Sequence, residues 1–388
     1  MKILFIEPCF KNFGGYFRAN GIAQALSEKK IGVDLLISSD KKFSLKIKKT
    51  RINDYFTRYE LPRIYINFFI TGRILRGIIA CSFILFKKYD LIHFFALIQF
   101  ESNIPFLFSK LLNRKSIIDW DDYWTDAHRI VPIYDNFLIK NYLKFCEYSI
   151  QKLANYGTAT SDFLLKEFNK IGIKDNLKIV NGVDKYQFSP MSREKARGKL
   201  NISENEKIIL TFGNTFFKER TVYLFKTFEK ILEKDPDIKL YLNNDPLKMI
   251  REQAKGEEFN KNILKNIINI GRFKDEELSI YLGASDCILF PMGDSNLEKA
   301  CFPTRIGTYL NGESIIITNN TSTEAGNVLK KYKCAIIGKD SDDLAVKTIQ
   351  FFNNNILRDE KKENAKIAKK ELLWEKLVDP LIDFYNKI

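Results

Sequence analysis

Two series of short apolar segments, separated by helical patterns, constrain the fold of this chain more than any other feature. The first series is "KILFIEP", "VDLLIS", "DLIHFFA", "SIIDW", "YGTAT" and "KIVNG"; the second is "KIILTFG", "IKLYLN", "IINIG", "DCILFP", "SIIIT" and "CAIIG". Runs of this kind without polar alternation are typical of strands buried on both faces of a parallel sheet. Helical patterns such as "RANGIAQALSEKK" and "VYLFKTFEKILEK" lie between them. The alternation predicts an α/β chain with two Rossmann-like, doubly wound parallel-sheet domains.

The segment between the two series lies near the midpoint of the chain. At 388 residues the chain suits two domains of roughly 150–200 residues each. The segment "NGVDKYQFSP" contains an Asn181-Gly182 turn, which suits positive φ, and Pro190, which stops a continuing element. We therefore expect the domain boundary here. Ligands are expected in a cleft that both domains face, at the carboxyl ends of their strands.

The net charge limits the classes of binding partner, and the cysteines indicate the redox state of the compartment. The formal net charge is +14 and the pI is about 9.2, so the surface attracts an anion: a nucleic acid, an acidic membrane face or a phosphorylated substrate. The six cysteines are scattered and form no C-x-x-C pair. They predict buried free thiols in a reducing compartment rather than a disulfide or zinc framework. The amino-terminal "MKILFIEPCF" indicates a first strand rather than a signal peptide.

Two neighbouring stretches in the first half raise the question of a membrane. Residues 64–86 form the most apolar long segment, but Arg73 and Arg76 lie near its centre. Each arginine costs about 2.5–3.5 kcal/mol in a bilayer, so we expect a buried or membrane-surface helix rather than a span. Residues 41–51, "KKFSLKIKKTR", hold six cations interleaved with apolar residues. They are either a solvated loop or a docking face for anionic lipid.

Candidate anion-binding residues follow the first strand of each series. Gly14-Gly15 lies between a strand and a helix, where backbone N–H groups and the helix dipole can bind a phosphate, or where the pair is only a flexible turn. In the second series the corresponding turn holds four candidates, namely Gly213, Asn214, Lys218 and Arg220. Further on, Thr304 is placed to cap a helix, and Glu298 is the nearest carboxylate able to accept hydrogen bonds from hydroxyl groups.

The first half also contains both histidines and a crowd of carboxylates. His93 ends a strand in "DLIHFFA", where a structural role is favoured over a catalytic one. His128 follows "IDWDDYWTDA", whose acids are Asp119, Asp121, Asp122 and Asp126. Crowding of this kind can raise the pKa of one carboxylate and make it a proton acceptor. An exposed acidic loop or a metal site fits the same spacing.

Taken in order, these pieces resemble the retaining glycosyltransferases of the GT-B fold, in particular family 4 of the nucleotide-sugar-dependent enzymes. Besides Gly14-Gly15, the matching segments are "DLIHFFA", "TATSDFLLKEF", "NGVDKYQF", "LTFGN", "INIGRFKDEELSIYLGASDCILFP", "PTRIGTYLNGESIIIT" and "LLWEKLVDPLIDFY". They cover essentially the whole chain. The most specific is "NGVD" followed by Phe188 and Pro190, which in the family marks the start of the second domain.

The resemblance implies the domain roles and the reaction. Residues 1–183 would bind the acceptor, residues 184–370 would bind the nucleotide sugar, and residues 371–388 would form a helix that crosses back to the first domain. The reaction would transfer a sugar from a nucleoside diphosphate sugar to a hydroxyl of a glycan or lipid-linked acceptor, with retention of configuration.

The same resemblance implies how the protein assists this reaction. Front-face attack helped by the leaving diphosphate needs no cofactor and no metal. The protein then stabilises the charge on the diphosphate and positions the acceptor. Family members place a histidine or an acid near the acceptor hydroxyl, which makes Asp122 and His128 catalytic candidates together with Glu298.

The chain departs from the family pattern at two places. The family usually carries two glutamates eight positions apart, one for the donor sugar and one for the ribose. Glu298 approximately matches the first, while the second position falls on Gly307 or Thr308, neither of them acidic. The arginine and lysine expected directly after "FG" are displaced to Lys218 and Arg220. These departures concern the identity of the donor more than the class of reaction.

Two other functions remain open. A nucleotide-sugar epimerase of the same fold would form product without an acceptor. A basic nucleic-acid-binding protein would explain the charge, but no recognised motif of that class is present and the cations are spread over both halves. We therefore expect no nucleic-acid partner. We expect a cytoplasmic location, with peripheral contact to the inner face of a membrane.

Overall fold

The computed structural model describes residues 1–11, 13–41, 43–64, 69–129, 132–213, 218–271, 273–319 and 322–388. These residues form two compact units. The first comprises Met1–Gly182, Lys299–Thr304 and Trp374–Ile388, and the second comprises Val183–Glu298 and Arg305–Leu373. The first division falls inside "NGVD", one residue before the boundary expected from the sequence. The short return of residues 299–304 to the first unit has no signal in the sequence pattern.

Each unit is built on its own sheet. The strands are β1 (Lys2–Ile6), β2 (Gly32–Ser38), β3 (Lys48–Arg51), β4 (Phe56–Leu61), β5 (Leu91–Phe95), β6 (Ser116–Trp120), β7 (Tyr156–Ala159), β8 (Asp175–Lys178), β9 (Ile208–Thr211), β10 (Lys239–Leu242), β11 (Ile267–Asn269), β12 (Cys287–Leu289), β13 (Ile316–Asn319) and β14 (Ala335–Gly338). The first sheet has the order β3-β4-β2-β1-β5-β6-β7-β8, and the second has the order β11-β10-β9-β12-β13-β14. The second sheet is parallel throughout its described pairs. The predicted doubly wound α/β class is confirmed.

The first sheet differs from the prediction at its two edges. β3 pairs antiparallel with β4, whereas the sequence pattern predicts a loop or a docking face there. The pattern misses this hairpin because β3 reads "KKTR" and is largely exposed, as edge strands often are. At the other edge the pattern predicts a strand in "KIVNG", but β8 reads "DNLK" and ends at Lys178.

Helices connect the strands. They are α1 (Gly14–Glu28), α2 (Phe69–Phe86), α3 (Phe100–Leu111), α4 (Phe137–Phe145), α5 (Asp162–Lys170), α6 (Arg193–Leu200), α7 (Lys218–Leu232), α8 (Pro246–Glu252), α9 (Leu278–Ala284), α10 (Asn296–Ala300), α11 (Thr304–Asn311), α12 (Glu324–Lys331), α13 (Ser341–Asn353), α14 (Asn355–Glu371), α15 (Trp374–Leu377) and α16 (Asp379–Lys387). The interior of the second unit is formed by α7, α13 and the strands between them, through residues such as Phe225, Phe228 and Phe351.

The carboxyl-terminal helices belong to the core of the first unit. Trp374, Leu381 and Tyr385 are buried in one apolar cluster with α1, β1 and β2. Trp374 lies directly against Gly21 of α1, where a side chain would overlap its indole. The resemblance implies a closing helix on the first domain from residue 371, and in the structure this segment starts at Trp374.

The apolar segment that raised the question of a membrane is anchored inside the first unit. Arg76 of α2 is buried, and its Nη2 donates to Oε1 of Glu101 in α3 at 2.6 Å. Within the described ranges, no helix combines the length and the apolarity that a membrane span requires. All six cysteines are free thiols, and Cys146, Cys287 and Cys334 are buried.

Candidate functional site

The strand order of the second sheet reverses between β9 and β12, which is where doubly wound sheets bind ligands. Gly213 follows β9 with φ of +96°, a conformation that side chains disfavour. A Cβ at this position would lie 2.5 Å from Cδ of Arg305. The N–H of Gly213 donates to Oδ1 of Asn243 at 3.1 Å, and the carbonyl of Gly213 accepts from Nδ2 of Asn244 at 3.0 Å. Two asparagines after β10 therefore hold this turn in place.

Two arginines lie at the same edge of the sheet. The guanidinium groups of Arg220 and Arg305 each lie 5.4 Å from the ring centre of Phe290, which follows β12. Arg305 also donates from Nη1 to the carbonyl of Phe212 at 3.1 Å. Two guanidinium groups beside a glycine turn can bind a diphosphate through paired, charge-assisted hydrogen bonds.

Arg305 was not among the residues predicted from the sequence. The sequence did contain a signal for it, because Arg305 directly follows Thr304, the residue at the start of α11, and a cation at that place can bind an anion. Thr304, which was predicted to cap that helix, is its first helical residue, so the capping role stays a prediction. At the two positions where the family has its second glutamate, Gly307 is buried and Thr308 donates to Oε1 of Gln187 at 3.1 Å.

The structure brings together two predicted residues, Arg220 and Glu298. Both are buried, at 3% and 2% exposure. Nε of Arg220 donates to Oε1 of Glu298 at 2.5 Å, and Nη2 donates to Oε2 in the same bidentate arrangement. Lys218 lies elsewhere: it is exposed, and its Nζ donates to the carbonyl of Lys255 at 3.2 Å. The predicted residue Asn214 lies outside the described residues.

In the first sheet the strand order reverses between β1 and β5. Glu7 follows β1 and is 1% exposed. Its Oε1 accepts from the N–H of Cys9 at 2.9 Å, while its buried Oε2 has no hydrogen-bond partner among the described residues. Gly14 and Gly15 begin α1, and a Cβ on Gly15 would lie 2.9 Å from Oε1 of Glu7. The predicted glycine pair thus lies against a carboxyl group that the sequence did not single out, although its place after the first strand was a usable signal.

The acidic loop after β6 is held by Glu147. This carboxylate accepts from the N–H groups of Trp124 and Thr125, at 2.6 and 2.7 Å. The loop carries the predicted residue Asp122 next to Asp121. Burial and the charges of Asp122 and other acids raise the pKa of the Asp121 carboxyl well above its usual value. The side chain of the other catalytic candidate, His128, lies outside the described residues.

A buried network holds α1 against the first sheet. Arg18 donates through Nε and Nη2 to both carboxylate oxygens of Asp119, each at 2.7 Å. Arg18 also donates to Oδ1 of Asn181 at 3.1 Å, so the asparagine of "NGVD" is tied to this helix. His93 joins through Nδ1, which lies 2.7 Å from the hydroxyl of Tyr385. Burial lowers the pKa of His93 to about 3, so its imidazole is neutral and structural.

Metal binding was expected to be unnecessary. In the described parts of both units, no group of three or more histidine, cysteine, aspartate or glutamate side chains is arranged to hold a metal ion. The expectation that no cofactor is needed stays a prediction.

Residues 192–368 match the sequence profile of the family described as "Glycosyl transferases group 1". No curated protein sequence matches this chain. Solved structures with the same fold include the sucrose-phosphate synthase of Thermosynechococcus elongatus, which aligns over 100% of this chain and 99% of that chain at a TM-score of 0.71 and 13% sequence identity.

Two further solved structures have the same fold. WaaG, a glycosyltransferase involved in lipopolysaccharide biosynthesis, aligns over 99% of each chain at a TM-score of 0.67 and 13% identity. The Anabaena protein HepE, solved in complex with UDP and glucose, aligns over 100% of each chain at a TM-score of 0.66 and 14% identity.

The chain therefore has the GT-B fold of these solved structures. The match of residues 192–368 to the family "Glycosyl transferases group 1" confirms, for that part of the chain, the resemblance drawn from the motifs.

Proposed function

We propose that the chain transfers a sugar from a nucleoside diphosphate sugar to a hydroxyl group of a glycan or lipid-linked acceptor, with retention of configuration. The observation that carries the donor part is the placement of Arg220 and Arg305 around Phe290, beside the Gly213 turn at the switch point of the second sheet. A diphosphate offers several anionic oxygens, which suit two planar guanidinium groups. The complex of HepE with UDP and glucose supports this choice of donor class.

In this proposal the protein acts by electrostatics and positioning. Arg305 and Arg220 stabilise the negative charge that grows on the leaving diphosphate oxygens. Glu298 holds the guanidinium of Arg220 through both carboxylate oxygens, which fixes the orientation of that group. The acceptor hydroxyl attacks the anomeric carbon of the donor sugar from the face that the diphosphate leaves. The bond between that carbon and the diphosphate breaks, and an oxygen of the diphosphate takes the proton of the hydroxyl.

The donor assignment is tested by thermal unfolding with nucleotides. UDP, GDP and ADP are added in turn to the wild type, to Arg305→Gln and to Arg251→Gln, which alters an exposed arginine at the end of α8. At least one nucleoside diphosphate should raise the melting temperature of the wild type and of Arg251→Gln. Arg305→Gln should bind it about 10-fold or more weakly, because a charged hydrogen bond contributes about 1.5–3 kcal/mol. A shift with DNA or RNA and none with any nucleotide would instead support the nucleic-acid-binding alternative.

Reaction type is tested with the donor that binds. Retention predicts that the new glycosidic bond has the anomeric configuration of the donor. Proton NMR of the product determines this configuration. An epimerase would convert the donor sugar in the absence of any acceptor, whereas a transferase would give transfer to an acceptor or slow hydrolysis.

We propose in addition that residues 43–51 contact an anionic membrane surface that presents a lipid-linked acceptor. Phe43, Leu45 and Ile47 are 60%, 64% and 45% exposed. Exposed cations accompany them, namely Lys46, Lys48, Lys49 and Arg51. Each cation near an anionic surface contributes about 1 kcal/mol.

Sedimentation with vesicles tests this contact. The wild type should bind vesicles that contain phosphatidylglycerol and should not bind pure phosphatidylcholine. Lys49→Glu should weaken the binding, while Lys166→Glu, on an exposed site of α5, should leave it nearly unchanged. Equal effects of the two substitutions would indicate a general charge effect and would reject residues 43–51 as the docking face.

A further inference from the structure

The carboxyl edge of the first sheet gathers buried oxygen atoms that lack hydrogen-bond donors. Oε2 of Glu7, Oε2 of Glu101 and Oδ1 of Asp121 are all buried and unpartnered among the described residues. Glu7 follows β1, Glu101 lies in the first turn of α3 after β5, and Asp121 follows β6. These are three adjacent strands of one sheet. A buried acceptor without a donor is destabilising unless a ligand supplies the donor.

The charges at this edge are unbalanced. Glu101 pairs with the buried Arg76 through its Oε1, while Arg18 gives both its Nε and its Nη2 to Asp119. The charge of Arg18 favours the ionised forms of Glu7 and Asp121, but burial and neighbouring acids outweigh it, and no cation among the described residues forms an ion pair with either carboxyl group. Burial raises the pKa of Glu7 to about 7, and the charge of Glu7 contributes to the raised pKa of Asp121. A positive charge placed beside either carboxyl group would therefore stabilise its ionised form.

Glu7 also faces a position kept free of side chains. Gly15 lies so close that a Cβ there would come within 2.9 Å of Oε1 and 3.0 Å of Oε2. At neighbouring Gly14 a Cβ would meet no described atom within 4 Å. Glu7 itself is 1% exposed, and the start of α1 that lies against its carboxyl group consists of two residues without side chains.

The arrangement of side chains does not fit a metal ion as the missing partner, because no set of three suitable ligands is present in the described parts of the chain. A hydroxyl group donates one hydrogen bond and brings no charge. A protonated primary amine donates three and brings the positive charge that both carboxyl groups lack.

We propose that Glu7 and Asp121 form a subsite for the protonated amino group of an amino sugar, and that they select an acceptor of this class. The inference rests on the proposed function, because it assumes that the first unit binds the acceptor. Glu7 would accept from the ammonium group, and Asp121, two strands away, would accept from the ammonium group or from a hydroxyl on the same sugar ring. At about 4.8 Å per strand, the ends of β1 and β6 lie roughly 10 Å apart with β5 between them, so side chains that extend from both would contact opposite sides of a single ring.

The probes are the methyl glycosides of glucosamine and galactosamine, compared with those of glucose, galactose and the two N-acetylated sugars. Saturation-transfer NMR measures binding at pH 7 to the wild type, Glu7→Gln, Asp121→Asn and Asp34→Asn. Asp34 is the matched control: it is a buried carboxylate near the amino end of β2, and its Oδ2 accepts from the hydroxyl of Tyr89 at 2.7 Å.

At least one free amino sugar should bind the wild type and Asp34→Asn at least 10-fold more tightly than its hydroxyl and N-acetyl counterparts. Glu7→Gln and Asp121→Asn should each remove most of that preference while the UDP-induced rise in melting temperature stays as in the wild type. Equal binding of amino and hydroxyl sugars, or an unchanged preference in both variants, would overturn the proposal. Failure of the proposed function appears separately, as the absence of any nucleotide effect on the wild type.

Discussion

Arg220 and Glu298, 78 positions apart in the sequence, form a buried bidentate ion pair at the carboxyl edge of the second sheet. The sequence assigned them to different parts of the donor, the arginine to the diphosphate and the glutamate to the sugar. In the structure they are one unit, because each satisfies the charge of the other where water is excluded. Substitution of either residue therefore leaves the charge of the other buried without a counter-ion.

The first prediction concerns this pair. Glu298→Ala leaves the guanidinium of Arg220 buried without its carboxylate and should lower the free energy of unfolding by about 3–5 kcal/mol. The double variant Arg220→Met, Glu298→Leu replaces both charges by apolar groups and should be considerably more stable than Glu298→Ala. Urea denaturation measures both. A double variant less stable than Glu298→Ala would show that the pair is not the dominant contact of either side chain.

The second prediction uses the two adjacent glycines of α1. Gly14→Ala places its methyl group in open space, so activity should stay within about 2-fold of the wild type. Gly15→Ala forces the carboxyl group of Glu7 to move, because the new Cβ would lie 2.9 Å from Oε1. Loss of a charge-assisted hydrogen bond then lowers transfer to the acceptor by about 10- to 100-fold.

Hydrolysis of the donor without an acceptor separates the two explanations for Gly15. If Gly15 adjoins the acceptor through Glu7, Gly15→Ala should leave this hydrolysis unchanged. Equal loss of hydrolysis and transfer would assign the glycine to the diphosphate instead.

The third prediction is a pH dependence of stability. Burial raises the pKa of Glu7 from 4.5 to about 7, so the folded chain keeps a proton that the unfolded chain has lost between these values. The stability that the neutral carboxyl group contributes is complete below pH 4.5 and is lost as the pH rises through 7. At about 1.36 kcal/mol per pH unit, the 2.5 units amount to about 3 kcal/mol.

Glu7→Gln removes this titration and should therefore stabilise the protein relative to the wild type more at pH 8 than at pH 4.5. Urea denaturation at the two pH values measures the difference. Glu60→Gln is the control, because that buried carboxylate already pairs with Lys11 at 2.6 Å and should gain nothing from the change. A constant effect of Glu7→Gln across this range would mean that Glu7 is ionised at neutral pH.

The fourth prediction compares two helical glycines. Gly21→Ala would overlap Nε1 of Trp374, so it should push the carboxyl-terminal segment from α1 and destabilise the protein by about 1–3 kcal/mol. Gly198→Ala in α6 meets no described atom within 4 Å and should stabilise the protein by about 0.4–1 kcal/mol. Denaturation followed by tryptophan fluorescence reads both effects. A neutral Gly21→Ala would show that Trp374 can leave α1 without cost.

Several elements were predictable because their signal is local. The apolar runs that became β1, β9 and β13 are buried on both faces, so their composition alone marks them. β3 and β4 were missed because an edge hairpin buries little and keeps charged residues such as Lys48 and Arg51. Glu7 directly follows the first strand, but its burial and its unpartnered oxygen depend on residues from other elements, so the sequence could mark its position and not its state.

The turn expected at Asn181-Gly182 is wrong, because neither residue lies in a turn or has positive φ. The sequence by itself determined the alternation of strand and helix, a domain boundary within "NGVD" and the place of the glycines after the first strand of each sheet. These depend on periodicity and on backbone conformation, which neighbouring residues set. The tertiary structure alone decided that Glu298 pairs with Arg220, that Arg305 lies beside Gly213, and that Glu7 faces Gly15. Such contacts join residues from separate elements, and the free energy of a charge depends on the water and partners that the completed fold leaves around it.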